Sequence, residues 1–230
     1  MNAARRRTED TRTPAEMLMH GAQEALASGA RMLSMSLGLA ACILLGVLFL
    51  DIPLWAADRF FETAALAPSN WMRLGDVFMA LSVYGVLLIA RRYGAETAGR
   101  AVMTTWTLVA IVVIAVIVIM SPQLEAGDLP SARFAAVFAL SWFAGHLVGA
   151  HMFDLARTTV WWRAPLIGAL WAFYLQSGLF FTGQFFGTSL PWPNWLMTDL
   201  VLKTGVAFIY LPIYSALRRS ISPRPGYGGR

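Results

Sequence analysis

The chain predicts an all-α, polytopic membrane protein with six transmembrane helices and both termini on the cytoplasmic side. Three observations carry that prediction. Uncharged runs extend over Leu33 to Leu50, Val77 to Ala90, Ala101 to Ser121, Phe134 to Phe153, Ala164 to Thr198 and Thr204 to Leu217. Crossing about 30 Å of hydrocarbon as a helix takes about 20 residues, so each run is a candidate span. The composition agrees, with 57% hydrophobic and 13% charged residues among 230, more apolar surface than a soluble domain of this size hides. Finally, the basic residues alternate between sides. Arg5, Arg6, Arg7, Arg12 and Arg31, then Arg91, Arg92 and Arg100, then Arg157 and Arg163, then Arg218, Arg219, Arg224 and Arg230 fall in one set of segments. The opposite set holds Arg59, Arg73 and Arg133, with Lys203 just inside a span. Basic residues in short loops stay cytoplasmic, so this alternation requires an even number of spans. The organisation is therefore a cytoplasmic N-terminal segment over 1–33, one transmembrane domain over 34–217 and a cytoplasmic tail over 218–230.

In the N-terminal segment, a polar stretch precedes the first hydrophobic run and no small-residue cleavage site follows it, so no cleaved signal peptide is expected. Thr13, Pro14 and Glu16 form a helix start, with a side-chain cap, a proline at the first helical position and a carboxylate at the third. Leu18, Ala22, Ala25, Leu26 and Leu33 then share a face. Residues 14–31 read either as a weakly amphipathic helix on the cytoplasmic surface or as a lead-in to the first span.

The second run is short, so its helix extends back to about Met72 and carries Asp76 in its first turn at the headgroups. The fifth run is too long for one span. Gly187, Pro191 and Pro193 interrupt it, so the fifth helix should stop near Phe186 and residues 188–196 should form a loop, with Trp192 and Trp195 at the membrane interface. The sixth helix then starts near Met197, with Asp199 and Lys203 in its first turns.

The net charge of +5 is accounted for by topology and by contact with anionic lipid, and gives no reason to invoke nucleic acid. Cys42 is the only cysteine, which excludes an intramolecular disulfide and a cysteine metal cluster, and no cofactor is implied.

Polar residues at membrane depth are few and fall mainly on the last three spans. The fourth has Ser141, His146 and His151; the fifth has Gln176, Ser177, Thr182 and Gln184; the sixth has Thr198, Asp199, Lys203 and Thr204. A pocket for a polar solute would form there. Asp199 and Lys203 are four residues apart, share a helix face and can neutralise one another, either in a pocket or as an ion pair snorkelling to the interface. His146 in mid-span is either a pocket residue or hydrogen-bonded to a neighbouring helix. His151 is five residues on, well round the helix, so the two make a poor metal site. Asp154 and Arg157 read as a surface pair. No nucleophile, base and orienting group assemble from the sequence, so no enzyme and no catalytic residue is expected.

Gly145 and Gly149, and Gly183 and Gly187, have the spacing that lets membrane helices approach closely. Trp142, Phe143, Trp171, Phe173, Tyr174, Phe180 and Phe181 are either packing residues or stacking surfaces for a planar ligand, with Trp142 and Trp171 the candidates for stacking.

Residue order then supplies a resemblance. Arg133 opens the fourth span, Gly145 is followed by a polar residue and Phe153 closes it. Trp161, Trp162, Ala164 and Pro165 open the fifth, which continues with Ser177, Phe180 and Phe181. Asp199, Leu200 and Lys203 lie in the sixth, with Pro212 and Tyr214 before the basic tail. Over 132–217 this resembles the VUT family of bacterial queuosine precursor transporters, six-helix inner-membrane proteins. Upstream the likeness thins to Arg91, Gly94, Ala95 and Arg100. The resemblance implies uptake of a deazapurine base, such as 7-cyano-7-deazaguanine, through a pocket among the second, fourth, fifth and sixth spans. The chain departs from the family at Leu87, in place of an acidic residue; at His146, in place of glutamine; and at Gly149 and Gln176, in place of aspartates.

Two expectations follow. One is a transporter of a small planar solute, with His146, Gln176, Ser177, Asp199, Lys203, Trp142 and Trp171 as pocket residues. The other is a non-transporting structural or assembly subunit of a larger membrane complex, whose partners would be other membrane subunits. Either leaves homo-oligomers open. The sequence carries no phosphate-cradling glycine loop for ATP.

Overall fold

A computed structural model of the chain describes residues 13–60, 67–70, 72–123, 125, 129–157 and 160–224. The N-terminal arginines 5, 6, 7 and 12 and Arg230 lie outside the described residues. Those residues are helical, without a strand among them, and five helices are long and apolar enough to cross a membrane: α1 (Pro14–Leu48), α2 (Leu74–Met120), α3 (Ala132–Leu155), α4 (Arg163–Phe185) and α5 (Trp192–Ser220).

α1 starts where its cap residues direct. The Thr13 hydroxyl accepts the Glu16 backbone N–H at 3.3 Å, and the Thr13 N–H donates to the Glu16 carboxylate at 2.7 Å. The helix then runs unbroken for 35 residues, so residues 14–31 form no separate element. At about 1.5 Å per residue α1 exceeds any hydrocarbon thickness, and its exposed first half extends away from the packed bundle.

α2 is interrupted once. Gly94 has φ 86° and ψ 163°, a conformation closed to L side chains, and it divides the 47-residue helix into limbs over 74–93 and 95–120. The second and third apolar runs fall on these two limbs. The first limb starts at Leu74, slightly later than expected, because Arg73 takes the cap position and donates its N–H to Asp76 at 2.9 Å. The far half of the second limb, from Ile111 to Met120, is largely exposed and apolar, which suits contact with lipid.

α5 corrects the sequence reading. It begins at Trp192, not near Met197, so the connection from α4 is shorter than 188–196 and Trp192 and Trp195 lie in the first turn of a helix. Pro193 was read as a breaker, yet a proline in the first turn lacks only an N–H that has no intrahelical partner there. Gly187, at φ 82°, ends the α4 side of that connection.

Cross-helix contacts set the directions. The first limb, α3 and α5 run parallel: Ser82 meets His146 and Arg157 reaches the Ala90 carbonyl, while Tyr84 meets Ala207 and the Arg224 N–H donates to Arg92. α4 returns antiparallel to α3 along a seam of small residues. A Cβ on Gly145 would sit 2.7 Å from the Ala172 carbonyl, and one on Gly168 would sit 2.9 Å from the Gly149 carbonyl. Gly145 and Gly149 are the expected close-approach pair: Gly145 meets Ala172 and Gly149 meets Ala172 and Gly168. At the far end of the seam Arg133 donates to the Gly183 carbonyl at 2.7 and 3.0 Å, tying the start of α3 to the end of α4. The core between these helices holds Leu39, Ile43, Met79, Val83, Tyr84, Leu87, Val102, Phe153, Phe173 and Tyr214.

The same contacts bring Arg91, Arg92, Arg157 and Arg224 to one end of the bundle, where Arg218 stacks over Trp161 at 4.8 Å. Arg73 and Arg133 lie at the other. Asp154 and Arg157 form a 2.7 Å ion pair at the basic end, as the sequence suggested.

Candidate functional site

Toward the end opposite the arginines, four helical segments contribute to one polar cluster. Its centre is Lys203 on α5, about 16 Å along the helix from Trp192 and so deeper than an α5 starting at Met197 would place it. An ammonium at that depth must be matched. Its Nζ donates to Asp199 Oδ2 at 2.7 Å, to Ser177 Oγ at 2.8 Å and to Gln176 Oε1 at 2.5 Å. Lys203 and Asp199 meet because they are one turn apart on α5, while Gln176 and Ser177 come from α4. Lys203 has three N–H donors and three acceptors within reach, so its hydrogen bonding is complete.

Ser177 ties the cluster together. Its Oγ lies 2.5 Å from Asp199 Oδ2, 2.8 Å from the Phe173 carbonyl and 3.3 Å from Gln176 Oε1, three acceptors for its single proton. Trp142 on α3 closes one side, its ring 5.5 Å from the Lys203 ammonium in a cation–π contact. The neighbouring hydroxyls of Tyr174 and Thr204 pair across α4 and α5 at 2.7 Å.

Beside the cluster is a cavity of about 40 Å³, lined by Met72, Asp76, Ala80, Trp142, Phe173, Asp199, Leu202, Lys203 and Val206. The first limb, α3, α4 and α5 all reach it. Asp76 lies in the first turn of its helix, as expected, and the fold also makes it a second carboxyl group on the cavity wall with Lys203. Two carboxyl groups thus share the cavity wall with one ammonium. The volume suits a few water molecules and is too small for a planar base.

The candidate residues separate into three groups. Lys203, Asp199, Gln176, Ser177 and Trp142 come together. His146 does not face the cavity: it is 1% exposed, its Nε2 is 2.9 Å from Ser82 Oγ, and Trp106 Nε1 donates to its Nδ1 at 3.4 Å. Both ring nitrogens thus bind side chains of the two limbs of α2, and the Trp142 ring, 5.8 Å away, lies between His146 and the cluster. His146 is the hydrogen-bonded helix residue of the two alternatives. Trp171 is 51% exposed on the outer face of α4 and does not line the cavity, so it is corrected from stacking candidate to surface residue. Its periodicity put it on a span, while only packing decides which face looks inward.

Ser82 and Trp106 were not singled out in the sequence. Each is a lone polar or aromatic residue in an apolar run, and only the partner across the helix boundary gives it a role. Among the described residues no group of three or more His, Cys, Asp or Glu side chains could hold a metal ion. No family model matches this chain, and no curated protein or solved structure matches it.

Proposed function

We propose that the chain is a multi-pass protein of the bacterial inner membrane that transports a small planar solute, a deazapurine base of the queuosine-precursor class by its family resemblance, without catalysing a reaction. In this reading the two limbs of α2 span separately, giving six spans with both termini cytoplasmic, as the gathering of arginines at one end supports. The observation that carries the functional reading is the Lys203 cluster. It is a buried, charged, aromatic-flanked site where the first limb, α3, α4 and α5 converge, the combination of segments that the resemblance implies. Lys203, Asp199, Asp76 and Gln176 offer a planar base both donors and acceptors, and Trp142 offers a face to stack on.

A base must displace part of the internal network and widen the cavity. Substrate entry therefore requires α5 to move relative to α4, breaking the bonds from Lys203 to Gln176 and Ser177 that the substrate replaces. The completeness of that network favours a second reading, in which the cluster only locks the helices of a non-transporting subunit.

The experiment uses a strain that cannot make queuosine precursors and lacks its own transporter, expressing this chain with limiting precursor base. Queuosine in tRNA, read by boronate gel shift, should appear with the wild type and be lost with Lys203→Met at unchanged membrane abundance. No shift from well-inserted wild type, together with a stoichiometric set of co-purified membrane proteins, would establish the subunit reading instead.

A further inference from the structure

On the basic half of the bundle a crevice of about 500 Å³ opens between α1 and α5, with the first limb of α2 as its floor. Ser34, Gly38, Leu39 and Cys42 line one wall, and Ile213, Leu217 and Ile221 line the other. Its chemistry differs from that of the Lys203 site. Of the four tyrosines that line it, Tyr84 and Tyr210 turn their hydroxyls into the protein, to the Ala207 carbonyl at 2.7 Å and the Val77 carbonyl at 2.8 Å. They present rings, not donors, and a polar solute would find almost nothing to bind. An exposed apolar groove of this size suits an apolar occupant.

The charge lies at one end. Arg92 lines the crevice where it reaches the basic end of the bundle, with Tyr93 beside it. Arg92 donates through Nε to Tyr93 Oη at 3.1 Å and through Nη1 to the Ser222 carbonyl at 3.4 Å. A guanidinium has five N–H donors, more than these two contacts consume. The neighbouring Arg91 donates to the Ile221 carbonyl, which holds the C-terminal end of α5 against this corner and keeps a second positive charge there.

We propose that this crevice is a binding site for one anionic phospholipid, its acyl chain against Gly38, Leu39 and Ile213 and its phosphate against Arg92. The proposal rests on the membrane-spanning reading above but not on transport. Arginine matches phosphate oxygens in bidentate geometry, and each basic residue near a headgroup favours an anionic lipid by about fivefold in affinity. Gly38 leaves the crevice open: a Cβ there would meet no heavy atom within 4 Å. A larger side chain at that position would extend into the space proposed for an acyl chain.

The test is native mass spectrometry of the lipid-stripped, detergent-solubilised full chain given phosphatidylglycerol or phosphatidylcholine. Wild type should retain one phosphatidylglycerol per chain and prefer it to phosphatidylcholine by about fivefold or more. Arg92→Gln should lower that preference by about fivefold, and Gly38→Phe should abolish retention of both. Equal retention of the two lipids by wild type, unchanged preference in Arg92→Gln, or a lipid-free dimer closed over the crevice would overturn the proposal. Wild type and Arg92→Gln decide the matter even if Gly38→Phe does not fold. Retention is read from mass, so loss of uptake leaves this result intact, and recovery of the chain in the soluble fraction would instead remove the membrane reading beneath it.

Discussion

His146 and Lys203 are both polar groups inside the bundle, one on each side of the Trp142 ring, and they solve the problem of burial differently. His146 shares its two nitrogens between Ser82 and Trp106, joining α3 to both limbs of α2, and does not line the cavity beside Lys203. Lys203 carries a charge, collects three oxygens and still borders a small cavity with Asp76 across it. The contrast teaches that hydrogen-bond satisfaction does not by itself mark a structural group. What separates the two is ionisable groups next to space: a paired histidine has nothing left for a ligand, whereas a cluster of two carboxyl groups and one ammonium beside a cavity can exchange an internal partner for an external one.

The largest expected effect comes from breaking the charged side. Lys203 and Asp199 side chains are only 16% and 27% exposed, so removing the ammonium leaves a mostly buried carboxylate alone. Breaking one partner of a buried pair costs about 3 to 5 kcal/mol, while removing both partners is often close to neutral. Lys203→Met alone should therefore lower the unfolding midpoint in detergent strongly, and Asp199→Asn with Lys203→Met should recover most of that loss. Uptake should remain absent in both. Uptake that returns with stability in the double variant would reduce the cluster to a helix lock and erase its distinction from His146.

A smaller effect is expected on the neutral side. His146→Leu keeps the volume close and leaves Trp106 Nε1 without its acceptor, while Ser82 Oγ keeps its bond to the Met79 carbonyl at 2.7 Å, at about 1 to 3 kcal/mol for a buried unsatisfied group. The variant should unfold more easily, yet its dependence of uptake on substrate concentration should match that of wild type. A shift in half-saturating concentration without loss of stability would move His146 into the solute site.

The same contrast explains what was legible in the sequence. Apolar runs and glycine–proline punctuation locate the helices, because length and apolarity are local properties of the sequence. The capping of α1 by Thr13 and Glu16 is equally local. The start of α5 was misplaced because Pro193 can either break a helix or open one, and that choice is set by its tertiary surroundings. Within the site, the Asp199–Lys203 pair was readable from its spacing of four. Asp76 was not, since its position at a helix end gives no sign that the first limb packs beside α5. Ser82 and Trp106 escaped for the same reason, each depending on a neighbour more than 30 residues away.

Trp171 supplies the smallest effect and the control on the whole comparison. It belongs to the same helix as Gln176 and Ser177 and to the same residue type as Trp142, but it is half exposed and touches neither network. Substitutions at exposed positions away from caps, packing seams and buried pairs stay within about 0.5 kcal/mol. Trp171→Leu keeps an apolar surface toward lipid, so both thermal stability and uptake should match wild type within that margin. Trp142→Leu removes the cation–π contact and should lower uptake at saturating expression. If Trp171→Leu impaired uptake as much as Trp142→Leu, the solute would have to contact the outer face of α4, and inward burial beside a charge would no longer identify the residues that act.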